Sequence, residues 1–375
     1  MNRRVYIVIV NWNGWKDTIE CLESVLRLNY EDFKIVVCDN ASADNSAEKI
    51  RDWSIGRLAA GVNNPELAHL SNPPVAKPVI VRELILDAAT EDNGSNREQV
   101  TLIHTGANLG FAGGCNVGMQ FALQDGECRY VWLLNNDTVV DPEALSRLVA
   151  TSAHDSSVGM CGSLCVYYRE PDRVQAPGGM PINTWTGRVD PPHGLRRAGV
   201  AEYVRTKRID YLNGASMLIT RECLESVGFL NEQYFLYFEE IDITLRAAGR
   251  YTITYDLGSI VYHKQGASAG TASARKDRSV MAERFGVRSR VLLARRFFPA
   301  RLPVYVLAIL AAVCHRAIVG PRRNALVMFA AVWSGLRAPL EPMPKFKPRK
   351  ISAEASQAIA PHADALAEVM ETSNV

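Results

Sequence analysis

The feature that most restricts this chain is a repeated switch of hydrophobic period. Between Val5 and Asp141, short β-branched runs ending in polar residues alternate with longer stretches whose apolar residues recur at helical spacing. Residues 5–10 read as a strand and 16–28 as a helix, with Ile19, Leu22, Val25 and Leu26 on one face. Residues 34–38 repeat the strand signal, Asp39-Asn40-Ala41-Ser42 forms a turn, and 46–53 is helical with Asp44 or Asn45 as its cap. Successive strand–helix–strand units require right-handed crossovers and a parallel sheet, with ligands expected outside the carboxyl ends of the strands. The expectation is an α/β protein with a mainly parallel central sheet.

Residues 54–99 interrupt the rhythm. Asn63-Asn64-Pro65, Asn72-Pro73-Pro74 and Asp92-Asn93-Gly94 mark loops around one apolar run at 79–85, which together read as an inserted surface excursion. The alternation resumes with a strand at 101–104, the Gly-rich loop Asn108-Leu109-Gly110-Phe111-Ala112-Gly113-Gly114, a helix near 115–123 and a buried strand at 130–134. Asp141-Pro142 then supplies a helix cap and first-turn proline. Residues 1–157 make a first half. A second half, 158–274, comprises a strand at 158–168, a stretch rich in Pro, Gly and Arg, an apolar segment at 211–220 and a helix at 235–248. Short strands at 251–255 and 260–263 and a small-residue loop at 265–273, expected to move, complete it. Residues 275–341 read as a basic helical appendage and 342–375 as a flexible tail.

With 47% hydrophobic and 22% charged residues among 375, the chain can bury a large core. A formal charge of +2 is too balanced to indicate nucleic acid, so no nucleic-acid partner is expected. Eight cysteines without a Cys-x-x-Cys pair argue against a zinc site and for reduced thiols in the cytoplasm. The apolar run at the N-terminus suits a first strand rather than a signal peptide. Two uncharged apolar runs, 302–314 and 325–336, fall short of the roughly 20 residues that cross a bilayer. Arg288, Arg290, Arg295, Arg296 and Arg301 precede the first run, and Arg316, Arg322 and Arg323 follow it. That mixture suits an interfacial helix on an anionic inner leaflet, and it equally suits a helical appendage packed on the core or on a dimer partner.

Several polar groups fall where a ligand would sit. Asn135-Asn136-Asp137 follows a hydrophobic strand; it reads either as a strand-ending turn or as a cation site centred on Asp137. His263 ends another short strand, as a structural histidine or as a nitrogen ligand for Mg²⁺ or Mn²⁺ holding a diphosphate. Glu239, Glu240 and Asp242 crowd three carboxylates behind the aromatic run Tyr234-Phe235-Leu236-Tyr237-Phe238. Mutual repulsion and an apolar setting raise carboxyl pKa values toward those of a general base, while acidic residues in a first helical turn are also simply favourable there. Asp39 can accept a hydrogen bond from a pyrimidine, and the loop at 108–114 offers closely approachable backbone amides. The fingerprints G-x-G-x-x-G and G-x-x-x-x-G-K-[ST] are absent, which removes the usual dinucleotide and ATPase readings.

In order along the chain, Val8-Ile9-Val10-Asn11-Trp12-Asn13, Val37-Cys38-Asp39-Asn40-Ala41-Ser42, the loop at 108–114, Leu134-Asn135-Asn136-Asp137, Phe238-Glu239-Glu240-Ile241-Asp242 and Val261-Tyr262-His263 resemble the signature of family-2 glycosyltransferases, in particular their rhamnosyltransferase-like branch. The resemblance covers about residues 4–270. It implies a GT-A (Rossmann-like) fold with a nucleotide-sugar half and an acceptor half. By that resemblance Asn11 and Asp39 hold the pyrimidine nucleoside, Asn108, Gly113, Gly114 and Asn116 line the donor pocket, and Asn40 and Asn136 are further donor-binding candidates. Asp137 is the remaining carboxylate of the family's Asp-x-Asp, and His263 matches its later metal-binding histidine. Asn135 departs from that pattern by replacing a charged ligand with an amide. Glu240 falls where the family places its base, usually an aspartate, which keeps Asp242 and Glu239 as competing catalytic candidates.

The implied reaction is an inverting transfer, with L-rhamnose from its dTDP donor to a lipid-linked or polysaccharide acceptor as the specific expectation. It would take place in the cytoplasm or on the cytoplasmic face of the membrane. Two other readings meet part of the pattern. A nucleotidyltransferase should carry a Gly- and Arg/Lys-rich loop after the first strand, where this chain has Asn11-Trp12-Asn13-Gly14-Trp15. A sugar-binding protein that has lost catalysis would not need the carboxylates at 239–242.

Overall fold

A computed structural model describes residues 3–86, 98–265 and 279–342 and the backbone of 351–352. β1 (Arg4–Asn11) and β2 (Phe33–Asp39) pair in parallel, Val5 opposite Phe33 through Asn11 opposite Asp39. α1 (Trp15–Val25) connects them, and α2 (Ser46–Ser54) follows β2. Both candidate caps of α2 contribute to its start. Asn45 turns the backbone at φ 60°, while Asp44 Oδ1 accepts from the Ser46 amide at 3.1 Å.

The excursion after α2 is more than surface. It contributes β3 (Val81–Leu86), which pairs parallel with β4 (Val100–His104), itself parallel to β2. The apolar run that looked isolated in the sequence finds its partner, β4, across the loop. α3 (Gly110–Gln124) then carries the chain back over the sheet to β5 (Cys128–Asn135), parallel to β1 on the side away from β2. Even and odd positions of the strands feed two apolar layers. Ile7 and Ile9 meet Ile19 and Leu22 of α1 on one face, and Val8 and Val10 meet Ala112 and Cys115 of α3 on the other. With α1 and α3 on opposite faces, the chain changes direction between β1 and β5, and a crevice opens at their carboxyl ends.

β6 (Thr138–Val140), α4 (Ala144–His154), β7 (Val158–Tyr167), β8 (Glu170–Pro177) and β9 (Gly179–Met180) follow. The Asp141-Pro142 signal starts a turn, and α4 begins at Ala144. Next come α5 (Val200–Thr206), β10 (Tyr211–Leu212), β11 (Ser216–Thr220), α6 (Arg221–Val227), α7 (Glu239–Ala247) and β12 (Thr252–His263). β11 inserts antiparallel between β5 and β7, β12 runs parallel to β7, and β6 closes that edge antiparallel to β12. The two short strands expected at 251–263 are one strand whose register shifts between Asp256 and Ile260. The helix expected from Phe235 begins only at Glu239.

α8 (Val280–Phe297), α9 (Leu302–Val319) and α10 (Arg322–Arg337) form the C-terminal helical appendage. α8 packs Leu292 and Leu293 against Tyr211, Tyr234 and Ile241, and all three helices share a small core at Val291, Ile309, Met328 and Val332. The uncharged run beginning at Leu302 is part of a longer helix than its composition suggested. With the turn before it, Pro299–Val319 is by length and composition long and apolar enough to cross a membrane, with 22% of its most apolar window buried, Arg316 among the buried residues. In the expected tail, Ile351–Ser352 pairs antiparallel with β3. The loop expected to move at 265–273 lies, after Gln265, outside the described residues, as does the rest of the tail.

Candidate functional site

The ends of β1 and β2 are locked to each other. Asn11 Nδ2 donates to Asp39 Oδ1 at 2.7 Å, Thr18 Oγ1 donates to Asn11 Oδ1 at 2.7 Å, and the Ser42 amide and hydroxyl occupy both Asp39 oxygens at 3.1 and 2.6 Å. Asn11 and Asp39 are buried and are not among the residues that line the crevice. The adjacent Trp12 and Asn40 do, with Asn40 Nδ2 donating to the Gly110 carbonyl at 2.8 Å.

The Gly-rich segment is a helix start, not a loop. α3 begins at Gly110, whose φ of +72° and absent Cβ let the Phe235 carbonyl approach, where a Cβ would stand 2.4 Å from it. Gly113 and Gly114 serve packing. A Cβ on Gly114 would lie 2.8 Å from Val10 Cγ1, and one on Gly113 would lie 2.6 Å from Leu109 Cβ. Asn116 bonds reciprocally with Leu230, accepting its amide at 3.0 Å and donating to its carbonyl at 2.9 Å. Gly113, Gly114 and Asn116 thus fasten α3 to its neighbours behind the crevice, whereas Asn108 lies in its wall.

Strand register brings Asp137 and His263 together. β6 opposes β12 with His263 across from Thr138, and the Lys264 amide donates to the Asp137 carbonyl at 2.9 Å. His263 Nε2 then lies 3.1 Å from Asp137 Oδ1, while its Nδ1 faces Gln175 Oε1 at 2.8 Å. Nε2, with Asn135 Nδ2 also 3.4 Å away, and the Asp137 carboxylate oxygen thus point at one another, a nitrogen and an oxygen donor placed to share one cation. Asn135 Oδ1 beside them is buried without a partner. A carboxylate, an imidazole and an amide oxygen are donors that suit Mg²⁺ or Mn²⁺. Among the described residues no three His, Cys, Asp or Glu side chains form a metal cluster, so such an ion would need further oxygens from a bound diphosphate or water. Asn136 is held by Thr18, to which its Nδ2 donates at 3.0 Å.

The aromatic approach to Glu239 is a strained turn. Phe235, Tyr237 and Phe238 have φ of 63°, 66° and 73°, values costly for bulky side chains. Tertiary contacts hold them there. Phe235 stacks on Phe285 of α8 at 4.5 Å, and Ser289 Oγ donates to the Tyr234 and Leu236 carbonyls at 3.1 and 3.2 Å. The turn aims the first carboxylates of α7 into the crevice, where Glu239 Oε2 and Glu240 Oε2 are buried without hydrogen-bond partners. Burial pushes the Glu240 carboxyl up to about 7, partly offset by backbone amides at the helix start. Burial, with the neighbouring Glu240 charge, holds Glu239 well above the usual carboxylate range. Asp242 does not reach the crevice. Its oxygens are taken by Arg246 Nε at 2.6 Å and by the Tyr234 hydroxyl at 3.0 Å, so as a base it would have to break a buried ion pair.

These groups surround one cavity of about 560 Å³, within the range of small-ligand sites. Its wall brings together Asn40, Asn108, Asn136, Asp137, His263, Glu239 and Glu240. Sequence reasoning missed Trp12, Phe111, Arg173, Gln175 and Asn213. Arg173, 5.0 Å above the Tyr167 ring, is the one Arg or Lys in the wall among the described residues. No local motif marks Arg173 or Gln175; the β7–β8 pairing alone carries them to the site. Met180, Val189, Pro191, Pro192 and Met281 form an apolar side.

Comparison with known proteins gives a consistent result. The family described as "Glycosyltransferase like family 2" matches residues 81–282, more than half of the chain, and "Glycosyl transferase family 2" matches 6–65. A low-salt glycan biosynthesis hexosyltransferase, Agl10 of Haloferax volcanii, is 29% identical over 155 residues, 40% of this chain and 47% of that protein. An N-acetylglucosaminyl-diphospho-decaprenol L-rhamnosyltransferase of Mycobacterium tuberculosis is 26% identical over 192 residues, 44% of this chain and 59% of that protein. The chain thus spans about half the length of these relatives. Among solved structures, the mannosyltransferase PcManGT of Pyrobaculum calidifontis, in complex with GDP-Man and Mn²⁺, aligns with 90% of this chain and 88% of its own at 15% identity and a TM-score of 0.48.

Proposed function

Because the chain belongs to glycosyltransferase family 2, we propose that it is an inverting glycosyltransferase that moves a sugar from a nucleotide-sugar donor to an acceptor hydroxyl, with Glu240 as the base. One observation carries this reading: a single cavity wall holds the Asp137–His263 pair and the buried carboxyl of Glu240, raised toward neutrality. A base with a pKa near the working pH combines a large ionised fraction with the drive to take a proton, and Glu240 would receive the proton of the attacking hydroxyl. Glu239, whose burial favours the neutral form, would keep negative charge from accumulating beside it. A Mg²⁺ or Mn²⁺ ion held by Asp137 and His263, with Asn135 Oδ1 in reach, would supply charge for the departing diphosphate. Arg173 would meet the same phosphates, and Trp12, Asn40 and Asn108 would contact the nucleoside end.

The finer reading is L-rhamnose from dTDP-rhamnose, passed to a lipid-linked or polysaccharide acceptor in the cytoplasm or at the cytoplasmic face of the membrane. The Mycobacterium tuberculosis relative and the apolar side of the cavity support it. The test is donor hydrolysis and transfer with a panel of nucleotide sugars, with and without Mg²⁺ or Mn²⁺. The expected result is metal-dependent release of one nucleoside diphosphate, reduced about 10²–10⁴-fold in Glu240→Gln and strongly reduced in Asp137→Ala. Nucleotide-sugar binding without turnover when candidate acceptors are supplied would favour a binding protein instead.

A further inference from the structure

The outer face of the C-terminal helices is apolar and uncovered. On α9, Leu307, Ala311, Cys314 and Ile318 recur at helical spacing along an exposed stripe, with Leu307 67% and Ile318 83% exposed. On α10 the exposed stripe is Arg322, Leu326, Phe329, Trp333 and Arg337, with Leu326 71% exposed. The opposite side of α9 is fastened to the body. Tyr305 and Ile309 are buried, and Arg316 pairs with Glu283 of α8 at 3.2 Å. Held on one side at Tyr305, Ile309 and Arg316, the helix lies along the body of the protein with its other side outward.

Charge decides what covers this face. Residues 284–340 contain no Asp, Glu or Lys, and of their ten arginines Arg322, Arg323 and Arg337 are exposed on α10 whereas Arg295 and Arg316 are bonded within the protein. α9 and α10 are joined at Gly320-Pro321 as an antiparallel pair, so Arg322 and Arg323 mark one end of the stripe and Arg301 and Arg337 the other. At that second end Arg301 lies 4.7 Å from the Trp185 ring and Arg337 lies 5.5 Å from the Trp333 ring, tryptophan–arginine pairs of the kind that sit at headgroup level. A second copy docking by two-fold symmetry would set these arginines against one another with no carboxylate on the face to neutralise them. An anionic leaflet supplies both missing partners, acyl chain for the stripe and phosphate for its ends.

We propose that the α9–α10 face, with Trp185, seats this protein on an anionic lipid surface. The segment that carries Trp185 is bonded to the helices by Arg290 to the Thr186 carbonyl at 2.6 Å and by Arg301 to the Thr184 carbonyl at 3.1 Å. It continues into Val189, Pro191 and Pro192, the apolar side of the cavity. Docking therefore turns that side toward the lipid, and the acceptor is an amphiphile presented from the same leaflet. The acceptor part rests on the proposed transferase reading; the docking itself does not.

The test is co-sedimentation of the full chain with vesicles of phosphatidylcholine alone or with phosphatidylglycerol. Binding is expected only to the anionic vesicles, weakened by salt. It should fall roughly fivefold for each arginine charge removed in Arg322→Ala and Arg323→Ala, and be lost in Leu326→Glu/Phe329→Glu. Donor hydrolysis measured without vesicles should stay unchanged in all of these, which separates failure of the docking from failure of the transferase reading. Equal binding to both vesicle types, or unchanged binding by the variants, overturns the proposal. So does a wild-type dimer that Leu326→Glu/Phe329→Glu makes monomeric, resistance to alkaline extraction that marks a spanning helix, or binding that emerges only when residues 343–375 are removed.

Discussion

At the scale of single residues the site is a contest between burial and charge. Glu239 and Glu240 are consecutive carboxylates under one turn, and each has one oxygen, Oε2, buried without a hydrogen-bond partner. If Glu240 is the base, the transfer rate should rise with pH to about 7 and level off above it. Glu240→Gln should abolish that limb in a pH–rate profile, and a limb that persists would belong to another group. The same shifts set a sign on stability. Between the ordinary value of 4.5 and the raised folded values, the folded state keeps protons that the unfolded state gives up, so stability is fully present below 4.5 and falls as pH rises through this window. Glu239→Gln should therefore stabilise the protein near pH 8 and have little effect near pH 4, as read from thermal melts at the two pH values.

At the scale of elements, close approach does what side-chain chemistry does elsewhere. α3 comes close to β1 and β2 where it carries glycine: a Cβ on Gly118 would lie 2.4 Å from Val8 Cγ1 and 3.2 Å from Cys38 Sγ. Gly118→Ala should cost about 1–3 kcal/mol through forced repacking. Gly126→Ala, which meets nothing within 4 Å, should be near neutral, and urea unfolding of the two variants makes the comparison. α7 shows the complementary device. Asp242 and Arg246, with the Arg246 guanidinium donating to the Val227 and Phe229 carbonyls at 2.7 and 2.6 Å, fix the helix so that its first turn, not its middle, meets the ligand.

At the scale of the molecule, the excursion between α2 and β4 is tied back by one buried carboxylate. Glu23 accepts from Trp53 Nε1 at 2.7 Å, from Lys77 Nζ at 3.0 Å and from the Val75 amide at 2.8 Å, with Lys77 also 3.7 Å over the Trp53 ring. Glu23→Ala strands Lys77 beside Trp53 and should cost roughly 3–5 kcal/mol. Limited proteolysis should then cut within 55–80 in the variant, while the wild type resists. Equal resistance would mean that the other ties, β3 pairing and the bonds of Asn63 and Asn64 to Tyr168, are enough to hold the segment.

Much of this was legible in the chain, because it depends on short-range pattern. The period switches dictate strand, helix and crossover, so the parallel sheet and the crevice beyond Asn135-Asn136-Asp137 follow from local sequence. The aromatic run before Glu239 reads as helix by composition and is a left-handed turn because Phe285 and Ser289 of α8 overrule propensity. β3 lacked a visible partner because pairing across a long loop leaves no local trace. The wall residues Arg173 and Gln175 are brought by strand register, and the separation of Glu240 from Asp242 by an ion pair with Arg246. Sequence alone determined which residues carry charge and which elements they end; only the tertiary structure decided which of those charges share a cavity, because burial and partnership are properties of contacts between distant segments.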